Sequence, residues 1–118
     1  YDVSCEAPAS LPEVAELQPA DLRNWLQQEK PPLLVDVREP YEREICMIDG
    51  SLAISLETLP ARLQELPSDQ TLVCYCKTGA RSSQACRWLK DAGFEQVFNL
   101  SGGIRAWAEK VEPEMRRY

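Results

Sequence analysis

Short apolar runs alternate along the chain with stretches whose apolar residues recur at helical spacing. Residues 33–37 are apolar except for Asp36, the pattern of a strand buried on both faces of a parallel sheet. Residues 72–75 repeat it, 96–100 give a last strand, 51–55 a short one, and 14–17 fit a short edge strand. Helical stripes lie between them. Pro19 opens the first in the favoured first-turn position, with Leu22, Trp25 and Leu26 on one face, and Pro31-Pro32 closes that segment. Pro40 starts a short helix, and Leu59, Leu63 and Leu66 stripe another that Pro67 terminates. From Ala80 onward Ala85, Trp88, Leu89 and Ala92 form a stripe, with Cys86 out of phase and Gly93 placed as a C-cap glycine. After the tight turn Ser101-Gly102-Gly103, a closing helix is marked by Ile104, Trp107, Ala108 and Val111. Strands alternating with helices at this spacing predict an α/β fold with a parallel, doubly wound sheet. Residues 1–13 are polar, proline-dotted and aperiodic and read as a tail or linker; 14–118 read as a single domain.

The composition narrows the function classes. With 118 residues, 44% hydrophobic, and three tryptophans, a folded domain with a modest core is expected. The net charge of −6 argues against generic binding to nucleic acid or an anionic membrane, while leaving room for a local cationic pocket. No stretch is long and apolar enough to span a bilayer, and no signal peptide is expected before the domain. The start at Tyr1 without an initiating methionine suits a piece of a longer chain. Five cysteines (Cys5, Cys46, Cys74, Cys76 and Cys86) form an odd set with no Cys-x-x-Cys pair, which suits free thiols in a reducing, cytoplasmic compartment. The chain has no histidine, so Cys–His and Ser–His pairs and histidine-ligated metals are excluded. No cofactor or metal is called for.

The candidate chemistry gathers at Cys76-Lys77-Thr78-Gly79-Ala80-Arg81-Ser82, where a strand ends and a helix begins. In open α/β sheets ligands bind at the carboxyl edge. A loop there can turn its N–H groups inward as an anion cradle beside the positive end of the helix dipole. Together with the charges of Lys77 and Arg81, this favours the nucleophilic thiolate of Cys76. Most free cysteines are packed structural thiols, and Cys74, inside the strand, reads as one. Asp36 and Arg38 arrive at the same sheet edge as supporting residues: Asp36 to accept loop N–H bonds or pair with an arginine, Arg38 to pair with Glu42 or Glu44. Cysteine phosphatases carry Cys-x5-Arg, with the arginine clamping phosphoryl oxygens. Here the spacing is Cys-x4-Arg, a shorter loop suited to one extra atom on the thiolate, such as a persulfide sulfur.

The loop resembles the active-site loop of rhodanese-type sulfurtransferases. The likeness extends to Leu33-Leu34-Val35-Asp36-Val37-Arg38-Glu39 and to Leu100-Ser101-Gly102-Gly103-Ile104-Arg105-Ala106-Trp107, and covers about residues 14–110. It implies a rhodanese-like five-stranded parallel sheet with helices on both faces, and an enzyme with Cys76 as nucleophile. Sulfane sulfur would pass from thiosulfate, or from a protein persulfide such as a cysteine desulfurase's, through a Cys76 persulfide to a thiol, cyanide or a sulfur-carrier protein. Lys77, Thr78, Gly79, Ala80, Arg81 and Ser82 would hold the transferred sulfur, with Lys77 and Arg81 steering the donor and the hydroxyls of Thr78 and Ser82 donating to it or capping the helix. The chain departs from the family where Gly-His-Ile-Pro-Gly-Ala is usual: Met47 replaces the histidine and Asp49 the proline, while Gly50 keeps the turn. The ending, Lys110-Val111-Glu112-Pro113-Glu114-Met115-Arg116-Arg117-Tyr118, is similar to the close of rhodanese domains fused behind adenylyltransferases of the molybdopterin-synthase-activating type, although arginines stand where a late proline is usual. Two other readings stay open: a non-catalytic rhodanese-like interaction module, and a cysteine phosphatase or arsenate reductase on the same fold.

Overall fold

The computed structural model describes residues 14–117; the segment 1–13, Cys5 within it, and Tyr118 lie outside the described residues. Five strands form one sheet: β1 (Ala15–Leu17), β2 (Leu33–Asp36), β3 (Leu52–Ala53), β4 (Leu72–Tyr75) and β5 (Val97–Leu100). Their order is β1-β5-β4-β2-β3 and every pairing is parallel. The helices are α1 (Pro19–Leu26), α2 (Pro40–Ile45), α3 (Ala80–Asp91) and α4 (Gly103–Lys110), with a 3₁₀ segment at Leu59–Glu65. No helix among the described residues is long and apolar enough to cross a membrane.

The period-two alternation of the strands sorts the core into two layers. On one face Leu72, Cys74 and Cys76 join Val35, Val37, Ala85, Cys86 and Leu89. On the other, Val73 and Tyr75 join Leu34, Leu22, Ile104 and Trp107. α3 therefore covers one face while α1 and α4 cover the other, and helices lie on both faces as expected. Central strand β4 is buried along its whole length, which accounts for its lack of charged residues. Trp25 and Phe98 meet edge to face with ring centroids 5.1 Å apart, sealing the α1 side near the β1 edge.

Several expectations change in detail. Strand residues 51–55 shorten to Leu52–Ala53, although Ile54 and Leu56 N–H groups still donate to the Asp36 and Val37 carbonyls. The stripe Leu59, Leu63, Leu66 forms a 3₁₀ segment kinked at Arg62, and Leu66 has already turned to extended backbone. Non-helical backbone at Arg62, φ −121° and ψ 18°, interrupts the segment before a regular α-helix can form. The stripe assigned to α3 is also out of register. Ser82, Ala85, Cys86 and Leu89 are buried, whereas Trp88 is 37% exposed and Ala92 lies at the surface. The small side chains of Ser82, Ala85 and Cys86 let α3 lie close on β4 and β5, where an indole would not fit. Cys86 is thus a core residue, and the large apolar Trp88 is the one out of phase.

This register predicts that Leu89→Ala destabilises the fold by about 3 kcal/mol, while Trp88→Ala changes it by about 1 kcal/mol or less. Urea denaturation midpoints check the order of the two; the reverse order would return Trp88 to the buried stripe.

Candidate active site

β4 delivers Cys76 to the carboxyl edge of the sheet, one short loop before α3 begins. Gly79, at φ 108°, is the N-cap of α3, and this left-handed turn folds the loop back over the sulfur. Cys76 Sγ accepts the N–H groups of Gly79 at 3.1 Å and Ser82 at 3.4 Å, and the Ser82 hydroxyl at 3.4 Å. The side chain is almost fully enclosed, at 1% exposure. Burial alone pushes the thiol's pKa up. The Ser82 hydroxyl and the N–H groups of Ser82, Gly79 and Thr78 outweigh it, so Cys76 ionises below its ordinary value. Hydrogen bonds carry this shift.

The neighbouring thiols behave in the opposite way. Cys74 points to the same face as Cys76 but meets Cys86; the hydrogen bond between these thiols, then burial, raises Cys74 well above its usual range. Cys74 is thereby a packed thiol, as its place in the strand suggests. Cys46 is half-buried and packs against the α1–α4 layer.

The cradle is held from behind. Ser82 Oγ also donates to Asn99 Oδ1 on β5, and a hydroxyl proton serves one acceptor at a time. Asn99 Nδ2 donates to the Gly79 carbonyl at 3.2 Å and to the Glu16 carboxylate at 3.1 Å. Asn99 therefore ties the glycine turn and the serine to one point. From the other side α4 closes on the loop: Ile104 N–H donates to the Cys76 carbonyl at 2.9 Å and Arg105 N–H to that of Lys77 at 3.1 Å. The approach is so close that a Cβ on Gly103 would fall on the Lys77 carbonyl and the Cys76 oxygen. Gly103 permits this contact, while a Cβ on Gly102 would instead meet Ala106.

The charged residues take more specific places than their spacing suggests. Arg81 grips Glu42 with both prongs, at 2.8 and 2.9 Å. Glu42 is buried on α2, where it also accepts the Glu39 N–H at 2.9 Å. The Arg81 charge is thus met within the protein, and its bond fixes the far side of the loop to α2. Asp36 is fully buried and accepts Arg38 Nε at 2.9 Å, Arg38 Nη2 at 2.8 Å and Arg43 Nη1 at 2.8 Å. Burial works against its charge, but these bonds from Arg38 prevail and hold its pKa below the usual value. Arg38 also reaches the Cys46 carbonyl at 2.7 Å and stacks 5.5 Å from the Tyr75 ring centre. Burial and then the Asp36 charge push the Tyr75 phenol up to about 12, so it stays neutral. The sequence expectation of Asp36 paired with an arginine holds. Arg43 places Nη2 3.4 Å from Met47 Sδ, at the position where the family usually has histidine. Lys77 is half-buried beside α4, Thr78 and Ala80 are exposed, and Gly79 and Ser82 are buried around the sulfur.

Sequence reasoning overlooked Asn99, the Glu42–Arg81 bond and the Gly103 contact. Asn99 had a visible signal, as the lone polar residue in the strand Val97-Phe98-Asn99-Leu100. The Glu42–Arg81 bond spans 39 residues and had none.

A buried cysteine ringed by loop N–H donors at the carboxyl edge of a parallel five-stranded sheet defines a rhodanese-type architecture. The rhodanese-like domain model matches residues 18–110, and the chain belongs to that family. It is 42% identical to a sulfurtransferase of Allochromatium vinosum, over 85% of this chain and 94% of that one. It is 44% identical to the probable adenylyltransferase/sulfurtransferase MoeZ of Mycobacterium tuberculosis, covering 86% of this chain and about a quarter, 26%, of that protein's length. This agrees with the resemblance to adenylyltransferase fusions read from the chain's ending. Among solved structures, reduced Bacillus anthracis CoADR-RHD superposes with a TM-score of 0.78 at 34% identity, over 89% of this chain and 18% of that one.

Two outcomes follow from this geometry. Ser82→Ala removes a donor that favours the thiolate, so the pH midpoint for iodoacetamide alkylation of Cys76 moves up, while Ser83→Ala leaves it in place; rate–pH profiles with mass detection check this. Gly103→Ala loses more stability than Gly93→Ala. Both glycines sit in the left-handed region, where an alanine costs about 1 kcal/mol. Only Gly103 adds a backbone clash, for a total of about 2 kcal/mol or more in chemical denaturation.

Proposed function

We propose that this domain is a sulfurtransferase that carries sulfane sulfur as a persulfide on Cys76. The observation that supports this reading is the set of donors on Cys76 Sγ, from the N–H groups of Gly79 and Ser82 and the Ser82 hydroxyl. Donors aimed at a buried sulfur stabilise an anion there whether it is a thiolate or the terminal atom of a persulfide. One preorganised donor of this kind is worth roughly 3 kcal/mol in a transition state. The absence of histidine from the chain is compatible with this chemistry, because a thiolate already favoured by its surroundings needs no general base.

In the first half-reaction the Cys76 thiolate attacks the outer sulfur of thiosulfate. The donor's S–S bond breaks, sulfite leaves with the bonding pair, and Cys76 keeps the sulfur as a persulfide anion. In the second, an acceptor thiolate or cyanide attacks the terminal sulfur and the Cys76 thiolate departs. Thr78, Gly79, Ala80 and Ser82 shape the cradle, Lys77 draws an anionic donor toward it, and Arg81 braces the loop through Glu42. Asp36 and Arg38 hold the neighbouring strand end. A persulfide on a cysteine desulfurase is the protein counterpart of thiosulfate as donor. A sulfur-carrier protein is the acceptor suggested by the likeness to MoeZ, and a reducing, cytoplasmic setting suits the free thiols.

Intact-mass measurement after brief exposure to thiosulfate tests the proposal. The native chain gains the mass of one sulfur atom, cyanide removes it, and Cys76→Ser gains nothing. If neither thiosulfate nor a desulfurase-bound persulfide loads the native protein, the sulfurtransferase reading fails.

A further inference from the structure

We propose that a cleft beside the Cys76 loop is a docking site for an acidic segment of a protein partner, one that sets an apolar side chain between its carboxylates. Lys77, Arg105, Arg116 and Arg117 line the cleft together with Ile104 and Ala108. Ile104 and Ala108 are buried at 2% exposure each, while Arg105, Arg116 and Arg117 are exposed. The cleft thus has an apolar floor and a cationic rim. The cleft is open to solvent above this floor, and carboxylates on either side of an apolar side chain seated there would meet the rim.

This concentration of positive charge occurs in a chain whose net charge is −6. Its arginines are also poorly neutralised among the described residues. Arg105 meets Glu109 only at 3.9 Å on the exposed face of α4. Arg117 donates to the Ala108 and Pro113 carbonyls at 3.2 and 3.4 Å, and among the described residues no carboxylate pairs with Arg117 or Arg116. A second arginine-lined hollow, bounded by Arg38, Arg43 and Arg62, differs in this respect: Asp36 and Glu65 already pair with its cations. The apolar floor favours an acidic polypeptide, which can set an apolar side chain between its carboxylates, over nucleic acid.

The position gives such a site its use. Ile104 N–H bonds the Cys76 carbonyl and Arg105 N–H the Lys77 carbonyl, so a segment seated on α4 lies against the loop that carries Cys76. The inference rests on the sulfur-transfer reading only in naming the partner as the one that brings or removes sulfur; the binding itself does not depend on it.

The test is an NMR titration of the whole chain with the capped peptide Gly-Asp-Glu-Leu-Glu-Asp-Gly, alongside the same peptide with lysine at each acidic position and a short single-stranded RNA. The acidic peptide is expected to shift the amide signals of Lys77, Ile104, Arg105 and Ala108 saturably and to weaken with added salt. Arg105→Glu with Arg116→Glu should loosen it roughly tenfold, while Arg105→Lys with Arg116→Lys retains it. Shifts confined to other surfaces, equal affinity for the charge-reversed protein, or tighter binding of the RNA at the same signals would overturn the proposal. Thiosulfate loading of Cys76, measured by mass on the same samples, separates the two ideas. Loading without peptide binding sinks the docking site alone, and peptide binding without loading from any persulfide sinks the sulfur reading alone.

Discussion

A sulfur anion can be enclosed by protein only if hydrogen-bond donors replace the water it loses, and the arrangement around Cys76 follows from that requirement. Cys76 is 1% exposed, and the groups that meet it are chiefly backbone N–H donors of Gly79 and Ser82. Main-chain donors cannot be supplied by choosing a side chain; they require the loop to hold one conformation. The left-handed Gly79, the Asn99 bond to its carbonyl, the α4 N–H groups on Cys76 and Lys77, and the Arg81–Glu42 pair all act on that conformation. Three separate parts of the fold (β5, α4 and α2) thereby converge on a loop of a few residues.

The contrast between Cys74 and Cys76 shows that position in the fold alone does not set reactivity. Both lie in the same core layer, two residues apart along β4 and its continuation. Cys74 meets another thiol and apolar neighbours, so its neutral form is favoured; Cys76 meets donors, so its anion is. Burial opposes ionisation in both. What differs is that β4 ends between them, and only past the strand's end are N–H groups released from the sheet ladder to face a side chain.

Much of this was legible in the chain. The alternation of apolar runs with helical stripes points to a parallel α/β sheet because central strands must be apolar on both faces, and residues 72–75 and, Asp36 aside, 33–37 are. The loop from Cys76 to Ser82 stood out because a glycine, cations and hydroxyls follow a buried strand directly. The α3 register was not legible, since hydropathy weights Trp88 heavily and cannot register that Ser82, Ala85 and Cys86 are buried because they are small. Nor was the role of Arg81: its partner Glu42 is distant in sequence, and spacing within one loop cannot reveal which carboxylate a separate helix will bring. Asn99 belongs between these cases, visible as an oddity in an apolar strand but meaningless until the sheet places it behind Gly79 and Ser82.

The Arg81–Glu42 pair also bears on the choice among chemistries for this loop. An arginine that clamps phosphoryl oxygens must offer its fork to the ligand. Here both prongs already engage a carboxylate that is itself buried and held by a backbone N–H, so releasing them would take a bidentate charged partner from buried Glu42. That arrangement suits an arginine whose work is to keep the loop closed. A terminal persulfide sulfur asks for nothing more than the N–H groups the closed loop presents, whereas a phosphoryl group would need both a wider loop and the arginine's release. The short Cys-x4-Arg spacing and the occupied guanidinium therefore weigh together against a phosphoryl group in this loop.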